Sequence, residues 1–245
     1  MARRKSPPPA SLEDSITSMS VGLEKNASAS NYLGWISDLC TPHLGADVLE
    51  IGAGHGDLTD LFARGRSRYV ATDISDWCLD ALHERFPEGS AVEVRALDLD
   101  TYDPGDERFD SIVMVNVLEH IEDDGAALRK LHEALRPGGR IVLYVPAYML
   151  LYSKFDREIG HYRRYTKRNL TELLRASGLR PIDTRYVNSI GAPGWFLWVR
   201  VLGRASSDDV TVGACDRIVV PAARVFEDRW APPFGLSVFA VAVRD

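Results

Sequence analysis

The sequence predicts an α/β fold: a doubly wound, Rossmann-like sheet, mostly parallel, with helices on both faces. Three observations carry this. Strand-like runs alternate with helical patterns along most of the chain. Those runs are near-continuously apolar, as in strands buried on both faces. A Gly-x-Gly-x-Gly turn, Gly52 to Gly56, joins the first run to a helical stretch, the place where ligands bind in such sheets.

In order, Tyr32 to Leu39 has helical spacing. Asp47 to Ile51 reads as a buried strand, and Asp57 to Ala63 as a helix. Arg68 to Thr72 is the second strand and Ser75 to Arg85 its helix. Val92 to Ala96 is a third strand towards one edge. Phe109 to Val115 is the fourth, with the unbroken run Ile112-Val113-Met114-Val115. A helix from Asp123 to Leu135 is stopped by Pro137-Gly138-Gly139, because proline cannot continue a helix and glycine accepts a left-handed turn. Arg140 to Val145 is the fifth strand. Thr166 is the expected cap of the next helix, and Pro181 to Val187 and Ser237 to Val243 are the last two strands. Residues 191–233 interrupt the pattern and read as a helical insert between them. Residues 1–27, which open with a basic run and three prolines, read as a mobile tail, leaving 28–245 as one domain.

Composition narrows the function. The 245 residues are 45% hydrophobic and carry a net charge of −6, which argues against a broad nucleic-acid footprint. The three cysteines, Cys40, Cys78 and Cys215, form no CxxC or Cys/His cluster, so neither a disulfide framework nor a bound metal is expected. A cytoplasmic setting is the simplest expectation. No apolar stretch suits a signal peptide or a membrane span.

The glycine turn has two candidate ligands. A dinucleotide site wants a third glycine where this chain has Asp57, and a carboxylate there repels a pyrophosphate. Glu50, at the end of the first strand, also suits a cation. S-adenosylmethionine, with a sulfonium, an α-amino group and no phosphate, fits both. Asp73 ends the second strand, where its oxygens can accept from ribose hydroxyls. Asp98 follows the third, where an acidic acceptor can hold the adenine amino group.

The segments Val48 to Thr59, Asp73-Ile74-Ser75, Asp98-Leu99, Val115 to Ile121 and Leu135 to Arg140 resemble, in order, the motifs of class I methyltransferases. The resemblance implies a seven-stranded sheet of order 3-2-1-4-5-7-6 with strand 7 antiparallel. It implies S-adenosylmethionine as cofactor and S-adenosylhomocysteine as product. The cofactor would lie over Gly52, Ala53, Gly54 and Gly56, with Asp73 on the ribose and Asp98 on the adenine amine. Asn116 would face the methionine moiety, and Ile74, Trp77 and Leu99 would sandwich the adenine. Trp77 reads equally as a core aromatic.

The acceptor side is less defined. His120 sits just beyond the fourth strand, where a neutral imidazole can serve as general base; a histidine bonded to backbone is the other reading. From Asp156 to Arg168 there are five basic and two acidic residues. His161 is a second candidate base there. Arg157, Arg163 and Arg164 are candidate anion anchors, and Tyr162 and Tyr165 candidate positioning groups. A solvated charged loop explains the same residues. Trp195 and Trp198 share a helical face with Leu202, as a substrate lid, a membrane contact or a dimer contact. Asp156 to Tyr165, Gly191 to Arg204 and Pro232 to Ser237 also resemble a bacterial subgroup with mostly unassigned substrates, associated with glycan, cell-envelope or secondary-metabolite pathways.

The expected activity is O-methylation of a small, anionic, hydroxyl- or carboxyl-bearing metabolite, by a monomer or homodimer with no stable membrane insertion. N- or C-methylation, a nicotinamide-dependent oxidoreductase and a non-catalytic scaffold are the alternatives.

Overall fold

The computed structural model describes residues 30–191, 215–227 and 229–245. The expected tail, most of the expected insert, and Trp195 lie outside them. In chain order the elements are α1 (Ser30–Cys40), β1 (Asp47–Ile51), α2 (Thr59–Phe62), β2 (Arg68–Asp73), α3 (Asp76–Arg85), β3 (Val92–Ala96) and β4 (Phe109–Val115). There follow α4 (Asp124–Ala134), β5 (Leu135–Pro146), α5 (Lys154–Glu158), α6 (Lys167–Ala176), β6 (Leu179–Val187), α7 (Val220–Glu227) and β7 (Ser237–Arg244).

The seven strands form one sheet in the order β3-β2-β1-β4-β5-β7-β6. The pairs among β3, β2, β1, β4 and β5 are parallel, and β7 runs antiparallel to both β5 and β6. Because side chains alternate across a strand, each strand feeds two cores. Leu49, Ile112, Met114 and Leu143 pack with Leu128 and Leu131 of α4 and Leu170 and Leu174 of α6. Val48, Val113, Val142 and Phe239 pack on the other face with Ile36 of α1, Phe62 of α2 and Leu82 of α3. Strand order reverses between β1 and β4, which opens a crevice at their carboxyl ends.

Local chemistry sets the boundaries. Thr166 and Asn169 cap α6 reciprocally: Asn169 N donates to Thr166 Oγ1 at 3.2 Å, and Thr166 N to Asn169 Oδ1 at 2.6 Å. Asp123 caps α4 by accepting from Ala126 N at 2.8 Å. Strand β5 begins earlier than expected. Leu135 pairs with Phe109 and Arg140 with Ser111, so residues 136–139 bulge out of the ladder, with Gly138 at φ 77°. The proline-glycine run thus shapes a strand bulge, and α4 has already ended at Ala134. The helix expected over 57–63 is a single turn, α2, held between left-handed Gly56 and Gly65.

Helix α1 is tied to the far end of the insert. The carboxylate of Asp216, itself buried, accepts from Asn31 N at 3.1 Å and Tyr32 N at 2.8 Å, which satisfies two of the free amide groups at the helix start. No described helix is long and apolar enough to cross a membrane.

Candidate active site at the carboxyl edge of the sheet

A cleft of about 380 Å³ opens where β1 and β4 diverge. Its floor is the glycine turn. Gly52 and Ala53 both donate to Thr72 O, at 2.8 and 2.9 Å, which locks the turn to β2. Gly54 N donates to Asp73 Oδ2 at 3.0 Å, and Ser75 N to Asp73 Oδ1 at 3.0 Å. Each carboxylate oxygen of Asp73 keeps a second lone pair for a ligand hydroxyl. Gly52 and Gly54 have φ of 72° and 57°, a region L residues enter at a cost.

The cleft's electrostatics are one-sided. Glu50, Asp57, Asp73, Asp98, Asp100 and Glu122 line it, and its described lining contains no lysine or arginine. Glu50 lies deepest. Burial pushes its carboxyl up to about 7, against the hydroxyl donors of Thr59 and Tyr69, which reach Oε2 at 2.6 and 2.9 Å.

The His120 end of the cleft is built by side chains. Asp156, fully buried, accepts from Ser153 N at 2.8 Å, Ser153 Oγ at 2.9 Å and Arg164 Nε at 2.6 Å. His161 Nδ1 stands 2.9 Å from its Oδ1. Burial would raise the Asp156 carboxyl, but His161 and Arg164 outweigh it and hold it down to about 2. The His161 ring meets His120 edge-on, centroids 4.5 Å apart. Burial, then the neighbouring His161, push the His120 imidazole down to about 3. Glu119 is fully buried between these groups and neither carboxylate oxygen has a hydrogen-bond partner. Burial raises it to about 8. Its Oε1 lies 3.8 Å from His161 Nε2.

Residues 26–184 match the family described as a methyltransferase domain. The chain belongs to the class I S-adenosylmethionine-dependent methyltransferases. A Mycolicibacterium smegmatis protein named a probable S-adenosylmethionine-dependent methyltransferase is 30% identical over 142 residues, 57% of this chain and 54% of that one. A ubiquinone biosynthesis O-methyltransferase of Albidiferax ferrireducens is 31% identical over 112 residues, 44% of this chain and 43% of that one. The methyltransferase thus spans about half the length of these curated relatives. Among solved structures, a complex of the Haloferax volcanii Trm112 methyltransferase activator with a methyltransferase supplies a chain of the same fold, with TM-score 0.64 at 17% identity over 98% of this chain and 99% of that one. The N-methyltransferase NodS of Bradyrhizobium japonicum, solved with S-adenosylhomocysteine, aligns with TM-score 0.52 at 17% identity over 81% of this chain and 78% of that one.

The family's cofactor is S-adenosylmethionine, and the donor set fits it. A cleft rimmed with carboxylates suits a sulfonium and an ammonium and disfavours a pyrophosphate. Ile74 and Leu99 supply apolar surface to the same cleft as Asp73 and Asp98, and Asn116, at φ 54°, lines it beyond β4. When bound, this cofactor supplies an electrophilic methyl group.

Several expected site residues take other roles. Gly56 is not part of the cleft lining. A Cβ there would meet Phe86 Cε2 at 2.7 Å, so the third glycine lets the turn pack on the end of α3. Trp77 also lies outside the lining; its ring packs on His55, centroids 4.1 Å apart. Asp57 lines the cleft, but Arg85 Nη1 donates to it at 2.7 Å, so its repulsion of a phosphate is blunted. Arg163 binds Asp124 at 2.6 Å, Arg164 binds Asp156, and the buried Tyr165 hydroxyl donates to Asp124 at 2.8 Å. All three are held by partners within the protein. Arg157 is exposed and outside the lining, whereas Tyr162 lines it. Of the two histidines, His120 lines the cleft and His161 stands behind it.

Several contributors escaped the sequence reading. Glu119 shares a motif with His120, and only burial marks it. Asp156 was signalled by Ser153-x-x-Asp156, the spacing of a capping box, here closed in the structure. Tyr32, Leu33 and Ile36 of α1 roof the cleft, which helical spacing alone does not announce.

Proposed function

We propose that this methyltransferase moves the methyl group of S-adenosylmethionine to a hydroxyl oxygen of a small molecule held at the His120 end of the cleft. The observation that carries the reading is His120 itself: an imidazole on the lining of the cofactor's cleft, backed by His161 and the Asp156 carboxylate. In the transfer an oxygen–carbon bond forms as the carbon–sulfur bond breaks, its electron pair stays on sulfur, and the hydroxyl proton must leave. A neutral imidazole accepts that proton, and the Asp156 charge offsets the positive charge the histidine pair then carries. Alignment and exclusion of water supply the rest of the rate.

The named O-methyltransferase among the relatives supports this reading. The preference for an anionic acceptor loses its support, because Arg163 and Arg164 are held by Asp124 and Asp156. A lining free of arginine and lysine among the described residues also favours a small molecule over a nucleic acid.

Calorimetric titration with S-adenosylmethionine, S-adenosylhomocysteine and NADH, followed by assays on a panel of hydroxylated acceptors, tests it. The adenosyl ligands bind and NADH does not. His120→Ala lowers turnover by about 100-fold or more and leaves S-adenosylhomocysteine affinity unchanged. Full turnover by His120→Ala would remove the histidine from the reaction.

A further inference from the structure

Glu119 poses a problem that the proton-acceptor role does not solve. A carboxyl group with both oxygens buried and unpartnered is costly, because desolvation goes uncompensated. Its neighbours suggest what compensates it. One ligand atom from each of Glu119, His120 and His161 lies within 4.8 Å of the others; ligands about 2.0–2.2 Å from one ion stand at most about 4.4 Å apart, so a side-chain shift of a few tenths of an ångström closes the three around a single ion. The Asp156 oxygen at His161 Nδ1 fixes that ring so that Nε2 faces Glu119, the carboxylate–histidine support that metal-binding imidazoles commonly have. Asp156 is itself pinned by Ser153 and Arg164, so the ring has little freedom to turn.

We propose that Glu119, His120 and His161 form a binding site for one divalent transition-metal ion, and that its open position faces the acceptor end of the cleft. Two imidazoles and a carboxylate suit zinc and its first-row neighbours; magnesium and calcium prefer all-oxygen shells. Three protein ligands leave a position for an exchangeable oxygen, and His120 brings that position to the cleft lining. The ion's role, though not its binding, rests on the hydroxyl-acceptor reading. An acceptor hydroxyl on the ion is acidified, loses its proton to water, and attacks the methyl carbon as an oxyanion. In the loaded protein the two imidazoles then serve as ligands, and the ion replaces them as the group that activates the hydroxyl.

The test uses chelator-treated, tag-free full chain titrated with cobalt(II) as the spectroscopic probe. One equivalent develops the intense visible absorption of a low-coordinate nitrogen–oxygen site, and zinc(II) abolishes it. Glu119→Gln and His161→Ala lower cobalt affinity by more than about 100-fold, since loss of a supporting partner alone costs 10–100-fold. Their circular dichroism and S-adenosylhomocysteine affinity stay at the wild-type level, which shows that both variants fold. No cobalt signal, a signal unchanged in both variants, or a thiolate charge-transfer band overturns the site. If the cobalt site is present and no hydroxylated acceptor is methylated, the functional reading fails while the metal site stands.

Discussion

The two ends of the cleft are made by different means. At the cofactor end, backbone and carboxylates at three strand ends line the cleft, and the contacts that hold them close within a short stretch: Gly54 to Asp73, Asp73 to Ser75, Glu50 to Thr59. At the acceptor end the charged groups face one another. Glu119 and His120 leave β4, Asp156 sits on α5, and His161 and Arg164 follow it. The first end leaves its carboxylates on the cleft lining, whereas the second spends most of its charge internally and brings His120, Glu122 and Tyr162 to the lining. A site held by its own side chains is rigid but intolerant, since removing one member strands the others.

That intolerance gives the largest expected effect. Asp156→Asn removes the carboxylate that stands 2.6 Å from Nε of Arg164, itself 5% exposed. Breaking a buried pair in this way costs about 3–5 kcal/mol, read as a fall in the urea midpoint at unchanged slope. The cofactor end stays intact in whatever fraction remains folded, so S-adenosylhomocysteine still binds. A loss below about 1 kcal/mol, within the range of a surface pair, would show that the acceptor end does not depend on this network.

Glu50 tests the cofactor end next. Burial raises its folded pKa to about 7, above the unfolded value near 4.3. Between these values the folded state holds the extra proton, so stability falls as pH rises through the interval. The stabilisation is complete below about pH 4 and lost above about pH 7, on the order of 3 kcal/mol. Glu50→Gln keeps an acceptor for Thr59 and Tyr69 and carries no charge. The wild-type minus variant difference in unfolding free energy should therefore decline from pH 4 to pH 7. A flat difference would mean that the folded Glu50 carboxyl titrates where the unfolded one does.

The same contrast explains what could be read in advance. Sheet order was legible only through the family resemblance, whereas the positions of Glu50, Asp73 and Asp98 were legible in the chain itself, because each is local and falls at a successive strand end. The starts of β3 and β4 agree with apolar patterning to the residue. The start of β5 did not, because proline and glycine signal a stop without saying whether a loop or a strand bulge follows. At the acceptor end, composition showed a basic excess but not its partners. Asp124, which holds both Arg163 and Tyr165, lies about forty positions earlier on another helix. Pairing across that distance is a property of the fold, and no spacing rule encodes it.

The smallest effect sharpens the role of the glycines. Gly52 and Gly65 share nearly the same φ, 72° and 71°. A Cβ on Gly65 meets nothing within 4 Å, whereas one on Gly52 would lie 2.4 Å from Val117 Cγ2. Gly65→Ala carries only the left-handed penalty, about 1 kcal/mol. Gly52→Ala adds an overpacking cost of about 1–3 kcal/mol, and it pushes Val117 away from the turn that sets Asn116. Paired melts measure the excess, and paired titrations with S-adenosylhomocysteine show whether affinity falls for Gly52→Ala alone. Equal losses in both would reduce Gly52 to a backbone requirement. An excess with lost affinity would show that close packing of β1 against the loop after β4 holds the cofactor turn in shape.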